Sequence, residues 1–155
     1  DLNSLFVALA KAANIPARNQ YGIRISESKL FDSIGQYGDI SQSQHCRAEF
    51  FLAGRGWIPV NPADVLQASN LEKLALDDPK IMQLREKFFG TWEMNWLTFN
   101  HAEDLTLHPA NAASKLPFFM HPYAEIDGKA LDSLDHENFA YKITSGELVG
   151  TGAKF

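Results

Sequence analysis

The chain has 155 residues, 45% of them apolar and 12% aromatic, enough to bury one core and too aromatic for a disordered segment. A net charge of −5 gives no reason to expect nucleic acid or an anionic membrane surface as partner, and no apolar run approaches the roughly 20 residues of a membrane span. The single cysteine, Cys46, excludes an internal disulfide and a cysteine-rich zinc site.

Leu2, Leu5, Phe6, Leu9, Ala12 and Ala13 recur at helical spacing behind the capping residues Asp1, Asn3 and Ser4. This predicts a helix to about Asn14, stopped by Ile15-Pro16. Because the sequence opens on the first turn of that helix, its amino end reads as cut. Residues 19–25 alternate as a strand, and residues 27–44 form a long polar loop. Residues 45–52 make the clearest strand: Cys46, Ala48, Phe50 and Leu52 fall on one face, and His45, Arg47 and Glu49 on the other. A hairpin loop at 53–56 leads to a return strand over 57–61, which Pro62 ends. Helices follow over 69–75 and 79–88, then strands over 92–99, 118–126 and 139–143, with an Asp127-Gly128 hairpin signal. Helix first and strands after give an α+β fold, read as a single domain over 1–155.

Two stretches carry a family resemblance. Residues 1–18, ending Asn14-Ile15-Pro16-Ala17-Arg18, resemble the helix that follows the nucleophile in transglutaminase-like proteins. Asn14 stands where that family has glycine, and asparagine also tolerates left-handed geometry. Residues 45–62 are similar to the family's histidine strand and to the strand carrying its acid. The resemblance covers about the first 65 residues and implies a papain-like transglutaminase core, one helix packed on an antiparallel sheet. The helical segment and β-rich carboxyl-terminal extension over 66–155 look like the tail of bacterial members.

By that resemblance the nucleophilic cysteine belongs two residues before Asp1, where helix N–H groups and dipole favour a thiolate. His45 is then the general base, and Asn61 falls where the family has its acid. An asparagine can orient an imidazole but cannot stabilise an imidazolium by charge. Asp64, three residues on and past a proline, reads instead as the cap of the next helix. Cys46 faces the core and is not the nucleophile, and Arg18 anchors a strand or a carboxylate. Arg47 with Glu49 read either as a surface ion pair or as cleft residues, and Trp57 as a wall of the site or a core residue. His101, Glu103, Asp104 and His108 lack helical ligand spacing and read as a solvated acidic loop.

The implied activity is thiol-based acyl transfer or amide hydrolysis on a peptide or protein, with no cofactor and with no calcium-type loop in view. The alternative is a non-catalytic module binding peptide or glycan in the same groove, with Asn61 as its sign. A third reading is a structural domain of a larger assembly. The residue two before Asp1 in the parent discriminates. The tail resemblance suggests an exported bacterial protein.

Overall fold

The computed structural model describes residues 1–108 and 115–148. Helix α1 (Leu2–Ala12) leads into β1 (Ala17–Arg24), and β2 (Gly38–Asp39) lies within the long loop. Strands β3 (Gln44–Leu52) and β4 (Gly56–Val60) form a hairpin, and α2 (Pro62–Glu72) and α3 (Pro79–Lys87) follow. Strand β5 (Trp96–Asn100) joins the main sheet. Short strands close the chain: β6 (Glu103–Leu105), β7 (Leu116–Phe118), β8 (Glu125–Ile126), β9 (Lys129–Ala130) and β10 (Thr144–Ser145). The fold is α+β, and its main sheet is antiparallel in the order β4-β3-β1-β5.

Helix α1 starts at Asp1, whose carboxylate accepts from the Ser4 amide at 3.0 Å. It ends before Asn14, which takes the left-handed φ of 59°. The face it buries differs from the expected stripe: Asn3, Val7 and Ala10 are buried, while Leu5 and Leu9 are exposed. The small side chains let the helix approach the sheet, and Val7 and Ala10 pack with Ala17, Ala48 and Val60. Phe6 and Phe50 flank that cluster with ring centroids 6.1 Å apart. A second core joins Ile34 of the long loop to Ala68, Ile81, Leu84 and Phe88 of the α2–α3 pair. The loop is therefore anchored by an apolar residue although its sequence is aperiodic.

The hairpin register is the one that sets Phe51 opposite Trp57. Along its other edge β3 pairs with β1, which sets Gly22 opposite His45, Gln20 opposite Arg47 and Arg18 opposite Glu49. These residues share one face of the sheet. The expectation of an open polar face on β3 is corrected here, because Arg47 and Glu49 are buried. Arg47 donates to the Glu93 carbonyl at 2.6 Å and to Asn95 Oδ1 at 3.0 Å, and lies over the Trp96 ring. Glu49 accepts from Arg18 and from Gln20 Nε2, so Arg18 does anchor a carboxylate, and Arg47 and Glu49 have separate partners. Trp57 is part exposed and carries the Arg18 guanidinium 4.0 Å from its ring centroid.

Other boundaries move, among them β5, expected over 92–99 and found at Trp96–Asn100. Helix α2 begins at Pro62, seven residues before the expected start, because proline suits the first helical position behind an asparagine cap. The expected 118–126 strand resolves into β7 and β8 with irregular chain between them, and the last strand sits at 144–145 rather than 139–143. The hairpin at 127–128 forms as expected, with Asp127 and Gly128 both at positive φ.

Gly22 is required by close approach. A Cβ there would lie 2.2 Å from the Leu97 carbonyl oxygen and 2.5 Å from the Trp96 ring. We expect Gly22→Ala to destabilise the protein by about 1–3 kcal/mol, whereas Gly146→Ala, which meets no atom within 4 Å, leaves it unchanged. Denaturant melts of both variants measure this, and equal midpoints would contradict the packing of Trp96 on β1.

Candidate active site

His45 opens β3 and is held at its backbone by Trp96, whose indole N–H donates to the His45 carbonyl at 2.8 Å. Its ring meets Asp64: Nε2 lies 2.9 Å from Oδ1. The N–H does not run along that line, so the contact is a close approach rather than an in-line hydrogen bond. With Nε2 facing the carboxylate, Nδ1 is the nitrogen left to accept a proton.

Asp64 is buried at the third position of α2. Arg24 Nη2, from the end of β1, reaches the same Oδ1 at 2.6 Å. Asn61 Nδ2 donates to the other oxygen, Oδ2, at 2.8 Å, while Asn61 Oδ1 accepts from the Asp64 amide at 3.3 Å. This reciprocal cap follows from the sequence Asn61-Pro62-Ala63-Asp64, a cap residue followed three positions later by an acid. Burial alone would push the Asp64 carboxyl up. His45, Arg24 and Arg47 outweigh it and hold the carboxyl well below the ordinary carboxylate range. Burial pulls the Arg47 guanidinium down to about 10, with Asp64 opposing that fall.

The geometry changes the part read for two residues. Among the described residues no hydrogen bond joins Asn61 to His45; Asn61 meets the carboxylate from the far side, and Asp64 meets the ring. The asparagine at the family's acid position and the acid three residues on act as one unit. An aspartate at 61 would set a second carboxylate where Nδ2 now lies 2.8 Å from Oδ2. Sequence reasoning set Asp64 aside as a helix cap, whereas the cap is Asn61 and Asp64 sits in the first turn; it took Asn3 only as a capping residue of α1 and did not single out Arg24. The cap spacing could have drawn attention to Asp64; nothing in the sequence marks Arg24, which topology alone brings across from β1.

Asn3 ties α1 to this unit. Its Nδ2 donates to Asn61 Oδ1 at 3.2 Å and to the Cys46 carbonyl at 2.7 Å, and its Oδ1 accepts from the Ala63 amide at 3.2 Å. It takes the place of a strand at the edge of β3, where β4 has already ended at Val60. Cys46 is buried, and burial pushes its thiol up. The thiol donates to Asp1 Oδ2 at 2.7 Å, so the amino end of α1 lies beside the residue next to His45. His101, Glu103, Asp104 and His108 are exposed, and no cluster among the described residues is arranged to hold a metal. No helix among the described residues is long and apolar enough to cross a membrane.

In this α+β fold the first turn of a helix touches a histidine strand, and a buried acid lies against the imidazole. Residues 1–62 match the family model of the Transglutaminase-like superfamily. It is similar to an uncharacterized protein of Haemophilus influenzae, 42% identical over 158 residues that cover 96% of this chain and 43% of that protein. The chain therefore spans less than half of that relative's length. No solved structure matches it.

Asp64→Asn leaves Arg24 buried without its counter-charge, and we expect a loss of about 3–5 kcal/mol at neutral pH. Because the folded carboxyl lies below its unfolded value, the wild-type advantage is complete above about pH 4 and shrinks as pH falls further. Denaturant melts of both proteins across pH 2–7 measure this. A gap that stays constant with pH would contradict a charged, paired Asp64.

Proposed function

We propose that the chain supplies the base and acid of a thiol acyl-transfer site acting on a peptide or protein amide. What supports this is one connected set of contacts. Asn3 in the first turn of α1 bonds Asn61, Asn61 bonds Asp64, and Asp64 lies against His45. A cysteine at the amino end of α1, two residues ahead of Asp1 by the family resemblance, would stand beside His45.

In this reading the thiol proton passes to His45 Nδ1, and the thiolate adds to the substrate carbonyl. Asp64 stabilises the imidazolium, which then returns the proton to the leaving amine as the C–N bond breaks. An amine or a water releases the acyl group, and which of the two prevails separates transferase from hydrolase. Asn61 is a positioning residue for Asp64. The non-catalytic reading rested on an asparagine at the acid position, and Asp64 supplies the charge that asparagine lacks.

The test uses protein that includes the residues ahead of Asp1 and an activated peptide ester. We expect His45→Ala and Asp64→Ala each to lower acylation by about 10²–10⁴-fold, and Asn61→Ala by less. Asn61→Asp should also lower it, through repulsion with Asp64. Enhanced acylation by Asn61→Asp, or undiminished acylation by Asp64→Ala, would contradict the assignment of Asp64. A residue other than cysteine two before Asp1 would favour a binding module.

A further inference from the structure

Beside His45 lies a cleft of about 400 Å³ with a distinctive lining. Gln36, Gln42, Gln44 and Gln67 line it together with Ser33 and Ser43. Arg24 and His45 share the same cleft, and among the described residues no acidic or apolar side chain does. The volume falls at the lower end of those that hold small ligands.

The donors and acceptors on this lining are only partly used. Gln36 and Gln44 each donate one amide N–H, to the Asp39 carbonyl and the Tyr141 hydroxyl, leaving their oxygens as acceptors. Among the described residues, neither Gln42 nor Gln67 has a side-chain hydrogen bond. Arg24 is buried, with Nη2 on Asp64 and Nε without a partner. A carboxamide offers both donor and acceptor and carries no charge, so it complements groups of the same kind. An ammonium would find no acidic side chain in the lining to pair with. A carboxylate would compete with Asp64 for Arg24. An apolar group would leave the glutamine amides unpaired, at a cost.

We propose that this cleft receives a peptide segment whose side chains next to the reacting acyl group are uncharged carboxamides or hydroxyls. The inference rests on the acyl-transfer reading for its peptide character, and on the lining for its polarity. The carboxyl-terminal part of the chain contributes to the cleft by bracing its loop: β10 pairs with β2, and the Ile40 amide donates to the Ile143 carbonyl at 2.9 Å.

The experiment is an NMR titration of isotope-labelled protein with acetylated, amidated tetrapeptides. One is Asn-Ser-Asn-Gly; in two matched peptides, leucines or glutamates replace the polar side chains, and a neutral oligosaccharide serves as a fourth probe. The polar peptide is expected to shift resonances of Gln42, Gln44, His45 and Gln67 and to bind tightest. Gln67→Leu, or Gln42→Ala at an exposed position, should weaken it about fivefold, the loss of roughly one hydrogen bond, without changing the leucine peptide. Tighter binding of the leucine, glutamate or oligosaccharide probe, or shifts confined to other surfaces, would overturn the proposal. Binding is read without turnover, so peptide bound in the cleft by a protein that fails to acylate contradicts only the acyl-transfer reading. Acylation with no shift in the cleft contradicts only this one.

Discussion

A single buried carboxylate organises this molecule. Asp64 receives Arg24 from β1, Asn61 from the start of its own helix and His45 from β3, so three elements distant in sequence converge on its two oxygens. A buried charge is tolerated only when it is paired and hydrogen-bonded. That requirement fixes where α2 starts, how β1 ends and which way the His45 ring faces. Asn3 extends the constraint to α1 by bonding Asn61, so the first turn of the helix is referenced to the same point.

The surroundings bury that point. Trp96 packs where Gly22 has no side chain and holds the His45 carbonyl, while Arg47 lies beneath it, bonded to the Glu93 carbonyl and Asn95. The polar face of β3 is thus an inner layer of buried, hydrogen-bonded charges rather than a surface. Its histidine remains partly open, toward the glutamine-lined cleft. The apolar side of the same sheet packs α1 in the ordinary way, through Val7, Ala10, Ala48 and Val60.

Local periodicity made β3, β4, α1 and α3 legible in the sequence, and hairpin chemistry placed the turn at 127–128. The strand alternation correctly sent Cys46 to the core and His45 to the other face. Polarity did not reveal that Arg47 and Glu49 are buried, because their partners come from β1 and from the segment before β5. Proline after Asn61 reads equally as the end of a strand and as the first residue of a helix. Taking it as a stop made Asp64 the cap of the next helix; with Asn61 as the cap, Asp64 falls in the first turn, where its carboxylate is free to meet His45. The resemblance supplied the histidine and pointed to position 61; the carboxylate that meets the ring, Asp64, needed three-dimensional contacts.

The most direct test of this arrangement is the tautomer of the His45 ring, read by nitrogen NMR at a pH where the ring is neutral. If Asp64 is its partner, the proton resides on Nε2 in the wild type, and Asp64→Ala, in protein shown to remain folded, abolishes that preference. Asn61→Ala should keep the Nε2–H form. Loss of the preference in Asn61→Ala but not in Asp64→Ala would contradict the account and return the orienting role to Asn61.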